Sequence, residues 1–134
     1  MISASPTLLY IDDDDGLARL VDRGLSRLGL KVVHAQSGAR GLERLREGGI
    51  DVVALDQYMP GLDGLETLER IMAIPGAPPV VVLTTTDDSQ EIKRCYQLGC
   101  NVYITKPVNY ESFANAIRQL GLFFSVIQVP PAAS

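Results

Sequence analysis

The sequence predicts an α/β fold in which a doubly wound, parallel, five-stranded sheet carries helices on both faces. Three observations support this prediction: five short β-branched runs recur, each is apolar on both faces, and segments with helical spacing separate them. Strands without polar alternation are typical of a parallel sheet that is covered on both sides. The order is (βα)5, and right-handed crossovers turn that order into a doubly wound sheet.

The five strands and the helices between them follow from these patterns in chain order. The strands are expected at Leu8–Ile11, Lys31–Ala35, Asp51–Leu55, Val80–Thr84 and Val102–Thr105. Helical spacing of apolar residues then predicts a helix after each strand. The inward-facing residues of the first four helices are Leu17, Leu20, Val21, Leu25 and Leu28; Leu42 and Leu45; Leu65, Leu68 and Ile71; Ile92, Cys95 and Tyr96. A fifth helix places Phe113, Ile117 and Leu120 on one stripe.

Capping residues and glycines mark the helix ends. Asp63 is expected to cap the third helix, Asp88 or Ser89 the fourth, and Asn109 the fifth. The glycines that end the first, second and fourth helices are Gly29, Gly48-Gly49 and Gly99.

Bulk composition limits the class of protein. The chain has 134 residues, the size of one domain, with 46% hydrophobic and 21% charged residues. Its formal charge of −4 argues against nucleic acid as a direct partner. Residues 1–6 have neither a basic start nor an apolar core, so we do not expect a secretory signal there. No uncharged apolar stretch approaches the length that a membrane span needs. Cys95 and Cys100 match no metal or redox spacing, so we expect reduced thiols in a cytoplasmic protein.

Polar residues stand where the predicted strands end, which is the edge at which such sheets bind ligands. Asp12 and Asp13 follow the first strand, and Asp56 ends the third. Thr84 ends the fourth strand, and Lys106 follows the fifth. Acids, a hydroxyl and an ammonium at one edge indicate a site for a phosphate and a cation.

The three carboxylates of Asp12, Asp13 and Asp56 are expected to converge. Two carboxylates ~4 Å apart repel by about 4 kcal/mol at an effective dielectric near 20, so the cluster favours a bound cation. Hard oxygen ligands with open water positions suit Mg²⁺. A solvated helix N-terminus is the alternative for the acidic run, and it fits Asp14 and Asp15 better than the two acids directly after the strand.

The same residues suggest a chemistry. With Mg²⁺ bound, an incoming phosphoryl group is neutralised while one carboxylate attacks it to give an acyl phosphate. Lys106 can counter the phosphoryl oxygens as a point charge, and the Thr84 hydroxyl can donate a hydrogen bond to them. Elsewhere, His34 is expected to be a satisfied strand histidine rather than a ligand, and Tyr10 and Phe113 are expected to lie in the core.

The chain resembles a bacterial two-component response regulator receiver domain of the single-domain type, over about Thr7 to Leu120. The matching motifs, in receiver order and spacing, are Leu8-Leu9-Tyr10-Ile11-Asp12-Asp13-Asp14, Asp56 with Met59-Pro60-Gly61 and Asp63-Gly64, Leu83-Thr84, and Tyr103-Ile104-Thr105-Lys106-Pro107. The resemblance implies the flavodoxin-like receiver fold. It also implies Asp56 as phosphoacceptor and Asp12 and Asp13 as the acid pair, with Asp13 the more direct Mg²⁺ ligand.

Further roles follow from the resemblance alone. The backbone carbonyl of Tyr58 would be another metal ligand, and Thr84 and Lys106 would bind the phosphoryl oxygens. Tyr103 would be the aromatic switch residue that turns inward when Thr84 moves toward the phosphate. Tyr58 and Thr86 would flank the attacking water and set the phosphate lifetime. The Lys106-Pro107 peptide bond is expected to be cis.

The function implied is a phosphorylation-dependent switch rather than an enzyme. This switch would assist its own phosphorylation and dephosphorylation. It would accept the phosphoryl group from a sensor histidine kinase and act by protein contact or onward phosphotransfer. One alternative is a degenerate receiver that serves as a constitutive interaction module, although the intact residue set argues against it. Another is a flavodoxin-like cofactor binder, which would need a Gly- and hydroxyl-rich phosphate loop after the first strand. A haloacid-dehalogenase-type phosphatase would need a second acid where Tyr58 stands.

The chain divides into a receiver at residues 1–121 and a C-terminal extension at 122–134. Apolar residues continue past the end of the receiver, and an exposed patch of this kind typically marks an interface. The ending resembles the extension of phytochrome-associated receivers, which form homodimers; a phytochrome-like kinase is thus one candidate partner. We expect a symmetric homodimer, although the tail could instead fold back on its own domain. The expected dimer residues are Phe113, Ile117, Leu120, Phe123, Phe124 and Ile127.

Overall fold

The computed structural model of the protein describes residues 6–27, 29–56, 64–84, 88–100 and 102–105. The strands are β1 (Thr7–Ile11), β2 (Lys31–Ala35), β3 (Val52–Asp56), β4 (Val80–Thr84) and β5 (Val102–Thr105). The helices within this part of the chain are α1 (Asp15–Ser26), α2 (Gly38–Arg46), α3 (Gly64–Met72) and α4 (Ser89–Leu98). These bounds agree with the predicted elements, with two exceptions: β1 begins one residue earlier, at Thr7, and β3 begins and ends one residue later and therefore includes Asp56.

The five strands form one parallel sheet in the order β2-β1-β3-β4-β5. The chain winds from β1 outward to β2, crosses back to β3, and then continues to β4 and β5 in the other direction. The crevice of such a sheet lies outside the carboxyl ends of the strands at this reversal, between β1 and β3. The predicted doubly wound α/β fold is thus confirmed, and its topology places the ends of β1 and β3 side by side.

Two apolar layers, one on each face of the sheet, form the core. Successive strand residues point to opposite faces, so Leu8 and Tyr10 of β1 pack with α1 while Leu9 and Ile11 pack with α2 and α3. All four of these side chains are fully buried. Because both faces are covered, β1 and β3 are buried along nearly their whole length, and their interior residues are apolar up to Asp56 at the end of β3.

Two side chains that were expected to face the core are exposed. Leu20 in α1 is 52% exposed and Tyr96 in α4 is 49% exposed. Each lies next in sequence to a buried residue, Val21 and Cys95 respectively, and neighbouring positions are about 100° apart around a helix. The predicted apolar stripes are therefore too wide by one position, since the buried faces of these helices run through Val21 and Cys95.

Both cysteines are free thiols in the buried layer beneath α3 and α4. Burial raises the pKa of Cys95, and it raises the pKa of Cys100 to about 12. Protonated, buried thiols are poor nucleophiles. That the two cysteines take no part in redox chemistry stays a prediction.

Some predictions fall on parts of the chain outside the described residues. These are Leu28 of α1, the Asp63 cap of α3, the fifth helix with Asn109, Phe113, Ile117 and Leu120, and the extension at 122–134. In the described part, the Asp88 side chain caps α4 by accepting from the backbone N–H of Gln90. No described helix combines the length and apolar character needed to cross a membrane.

Candidate functional site

Asp12 is the buried acid at the end of β1. It follows Ile11 directly and its side chain is 1% exposed, which is rare for a carboxylate without partners. Its position continues the β1 face that carries Leu8 and Tyr10. The strand therefore aims the carboxylate toward the α1 side of the sheet, into the crevice between β1 and β3.

Hydrogen bonds reach all four polar atoms of Asp12. Its backbone N–H donates to the carbonyl of Ala35 at 3.1 Å, and its carbonyl accepts from His34 Nε2 at 2.7 Å. The Tyr10 hydroxyl donates to Oδ2 at 2.7 Å, and the backbone N–H of Asp14 donates to Oδ1 at 3.0 Å. Burial of a carboxylate is costly unless its oxygens accept hydrogen bonds such as these. Asp12 is accordingly held in one position by its surroundings.

Asp56 and Asp13 complete an acidic cluster with Asp12. Ile11 pairs with Leu55 across the sheet, so the next residues, Asp12 and Asp56, end neighbouring strands. Carboxylate oxygens of the three acids all lie within 4.8 Å of one another. Asp56 is 6% exposed, whereas Asp13 is exposed to solvent. The structure therefore brings together the three carboxylates that the sequence analysis expected to converge.

Asp14 and Asp15 begin α1 and lie outside that cluster. The Asp14 side chain accepts from the backbone N–H of Leu17 at 3.0 Å, which makes it the N-cap. Asp15 lies in the first turn, where the helix dipole favours a negative charge. Both acids thus stabilise the helix start, as the alternative interpretation of the acidic run predicted for them.

His34 lies on β2 beside Tyr10 of β1, with the two ring centroids 6.1 Å apart. Because a carbonyl can only accept, the contact to Asp12 requires the proton on Nε2. Nδ1 lies 4.0 Å from Oδ1 of Asp15, and that oxygen accepts a hydrogen bond from Gln36 Nε2 at 2.9 Å. His34 is thus the satisfied strand histidine that was predicted.

Of the remaining predicted site residues, two lie within the described part of the chain, Thr84 and Tyr103. Thr84 is the last residue of β4, which places its backbone at the same sheet edge as the acids. Tyr103 lies on β5, is partly buried and packs against the layer beneath α3 and α4. The predicted residues outside the described part are Tyr58, Thr86, Lys106, Pro107, Phe113, Ile117, Leu120, Phe123, Phe124 and Ile127.

The contacts of Tyr10 and His34 with Asp12 were not predicted from the sequence. Both residues stand in apolar runs, so they were interpreted as core or strand residues only. The signal available in the sequence is the i, i+2 relation of Tyr10 to Asp12, which places the two side chains on one face of a strand. Burial and the Asp12 carboxylate raise the pKa of Tyr10, so its hydroxyl remains a hydrogen-bond donor.

The arrangement suits a small hard cation. Three carboxylates close together repel one another, and a divalent ion relieves that repulsion. Their oxygens are the donors that Mg²⁺ prefers, and the exposed Asp13 leaves one side of the cluster open to solvent. Asp56 is the member that ends the central strand β3, which pairs with β1 on one side and with β4 on the other.

Comparison with known proteins identifies related chains. A family model described as the response regulator receiver domain matches residues 8–118. The response regulator receiver domain from Rhodospirillum rubrum is 47% identical, with a TM-score of 0.72, and the match covers 92% of this chain and 96% of that one.

More distant relatives show the same fold or a longer architecture. A CheY-like receiver domain protein from Methanospirillum hungatei JF-1 is 21% identical over 90% of this chain and 97% of that one, with a TM-score of 0.84. The transcriptional regulatory protein AfsQ1 of Streptomyces coelicolor is 37% identical over 77% of this chain but only 45% of its own length. The chain thus spans about half the length of the first curated relatives it matches.

Proposed function

This chain belongs to the response regulator receiver domain family, and we propose that it is a phosphorylation-dependent switch. It accepts a phosphoryl group from a sensor histidine kinase on Asp56 in a reaction that depends on Mg²⁺. Receiver domains are phosphoacceptor switches rather than conventional enzymes, and they interact with histidine kinases and downstream effectors. The output here is an altered protein contact or onward phosphotransfer.

The observation that carries the proposal is the convergence of Asp12, Asp13 and Asp56 within 4.8 Å. The donor set fits Mg²⁺, with Asp12, Asp13, Asp56 and the Tyr58 carbonyl as the proposed ligands. When bound, Mg²⁺ supplies positive charge that neutralises the incoming phosphoryl oxygens.

In the proposed reaction an Asp56 carboxylate oxygen attacks the phosphorus of the donor. The new O–P bond makes a mixed anhydride on Asp56, and the bond between phosphorus and the leaving group breaks. The leaving group is a histidine nitrogen of the kinase or the acetate of acetyl phosphate. The catalysis is mainly positioning and charge stabilisation. Lys106 and the Thr84 hydroxyl are proposed to bind the phosphoryl oxygens.

The switch is proposed to run from Thr84 to Tyr103. Thr84 moves toward the phosphoryl group, and Tyr103 on the neighbouring strand turns inward. Tyr103 is only partly buried against the layer beneath α3 and α4, so an inward turn would bury more of its ring. Tyr58 and Thr86 are proposed to set the lifetime of the phosphoryl group, and the Lys106-Pro107 bond is proposed to be cis.

We further propose a receiver at residues 1–121 and a dimerising extension at 122–134, in a cytoplasmic protein. Two protonated, buried thiols fit a reducing compartment. A phytochrome-like histidine kinase is the proposed donor, because the tail resembles that of phytochrome-associated receivers.

Phosphorylation of the full chain tests the proposal. The protein is incubated with acetyl phosphate in Mg²⁺ or in chelator, and the mass of the intact chain is followed with time. We expect one phosphoryl group per chain in Mg²⁺, and none for Asp56→Asn. The matched control Asp22→Asn removes a carboxylate from the exposed face of α1 and is expected to label like the parent.

Equal labelling of Asp56→Asn and the parent, or labelling that persists in chelator, contradicts the proposal. A parent chain that folds, binds Mg²⁺ and never takes up a phosphoryl group from acetyl phosphate or a kinase favours the degenerate receiver instead.

A further inference from the structure

Tyr10 is a buried residue with a polar contact to the proposed metal site. Its side chain has no solvent exposure and lies in the apolar layer beneath α1. A phenol in such a place requires a partner for its hydroxyl, and here that partner is Oδ2 of Asp12 at 2.7 Å. A phenylalanine would fill the same space, so packing alone does not require the oxygen atom.

Strand geometry explains how Tyr10 reaches Asp12. The two residues are at i and i+2, so their side chains leave the same face of β1, and the long ring extends past Ile11 to the strand end. An aliphatic side chain at this position would be too short and could not donate. The two carboxylate oxygens therefore have different donors: the buried Tyr10 hydroxyl donates to Oδ2, and the backbone N–H of Asp14 donates to Oδ1.

We propose that Tyr10 is a positioning residue for divalent-cation binding, because its hydroxyl holds the Asp12 carboxylate in its orientation beside Asp13 and Asp56. The inference rests on the Mg²⁺-dependent function proposed above. Asp13 is exposed and can adapt to the ion from the solvent side, whereas Asp12 is buried and must already point correctly. Tyr10 thus makes Asp12 the fixed member of the cluster.

Loss of the hydroxyl leaves Oδ2 without this donor in a buried setting. The carboxylate can then turn, and binding of the ion must first restore its orientation. Removing a residue that hydrogen-bonds to a metal ligand typically lowers metal affinity by roughly 10–100-fold. The effect should appear in the affinity for Mg²⁺ and not in the chemistry of an already loaded site.

The test compares Tyr10→Phe with the parent by calorimetric titration of the full chain with Mg²⁺. We expect the Kd for Mg²⁺ to rise by roughly tenfold or more. Tyr96→Phe removes the same hydroxyl from an exposed position on α4 and is expected to keep the parent Kd. With acetyl phosphate, the Mg²⁺ concentration for half-maximal labelling of Tyr10→Phe should rise while the rate at saturating Mg²⁺ stays within about twofold of the parent.

The outcomes separate this inference from the proposed function. If the parent binds no Mg²⁺, the proposed function fails and the role of Tyr10 fails with it. If the parent binds and Tyr10→Phe has the same Kd, only the role of Tyr10 is overturned, and a lower melting temperature does not rescue it.

A measurement on the parent chain covers the case in which Tyr10→Phe does not fold. The ring carbon bonded to the hydroxyl of Tyr10 is followed by NMR in tyrosine-labelled protein during a Mg²⁺ titration. We expect its resonance to shift in step with the bound fraction, since Asp12 shares its charge between the ion and the hydroxyl. A resonance that stays unchanged through saturation overturns the proposal.

Discussion

The consecutive acidic residues at the end of β1 have different roles. Asp12 is buried and hydrogen-bonded, Asp13 faces solvent within the cluster, and Asp14 caps α1. The three are consecutive and chemically identical, so their different roles come only from where the strand and the helix point each carboxylate. The same reasoning predicts opposite effects of removing Asp13 on stability and on metal binding.

We predict that Asp13→Ala weakens Mg²⁺ binding but preserves or raises the melting temperature in chelator. Asp13 is exposed, so its repulsion of each neighbour is about 1 kcal/mol at the dielectric of water, and removing it relieves that repulsion. Thermal melts with and without Mg²⁺ measure both effects, because an ion that binds the native state raises its stability.

Glu69→Ala is the control for this prediction, since it removes an exposed carboxylate from α3. It should respond to Mg²⁺ as the parent does. A clear loss of stability in Asp13→Ala without metal would show that the charge-repulsion argument is wrong.

At the scale of elements, the close approach of α2 to β1 supports the strand end that carries Asp12. Gly41 of α2 packs directly on Ile11, and a Cβ at Gly41 would lie only 2.8 Å from Ile11 Cγ1. Ile11 is fully buried, so any shift of its side chain must displace neighbouring core atoms. The helix can lie this close to the sheet only because that position lacks a side chain.

We predict that Gly41→Ala destabilises the protein by about 1–3 kcal/mol. The clash with Ile11 outweighs the helix propensity gained by alanine, which is up to about 1 kcal/mol. Urea denaturation measures the change. Gly16→Ala in α1 is the matched control, because among the described residues its Cβ would meet nothing closer than Asp14 Oδ1 at 3.4 Å, and it should be neutral or stabilising. Equal stability of Gly41→Ala and the parent would contradict the packing described.

At the scale of the whole molecule, the doubly wound topology builds the site from distant parts of the sequence. β3 inserts beside β1, and this brings Asp56 next to Asp12. We propose that the conformational change on phosphorylation passes from the site to β4, β5 and the segments that follow them. Those segments end in the apolar extension, which we propose acts in the assembly of two chains.

We predict that the full chain forms a homodimer and that a chain ending at Leu120 is a monomer. Large apolar side chains left exposed each forgo about 1.5–3 kcal/mol of burial, which a symmetric interface would recover. Sedimentation of both chains, unphosphorylated and phosphorylated, measures the assembly state. A full chain that stays monomeric at micromolar concentration in both states rules the dimer out, and then the tail folding back on its own domain is the better interpretation.

The sequence by itself determined the five strands, the four described helices, the parallel sheet and the three carboxylates of the site. These follow from local rules: apolar periodicity distinguishes strand from helix, and the carboxyl end of a buried strand holds its next residue at the surface crevice. Even so, the pattern placed β3 one residue early, because the boundary between Leu55 and Asp56 depends on pairing with β4.

Only the tertiary structure decided which side chains touch. Leu20 and Tyr96 fit an apolar stripe in sequence, but the rotation of each helix about its axis is set by packing on the sheet, and that rotation exposes them. The contacts of Tyr10 and His34 with Asp12 depend on reach and on the register between β1 and β2. Periodicity specifies the face of an element, whereas hydrogen bonds require distances of about 3 Å, which only the packed molecule provides.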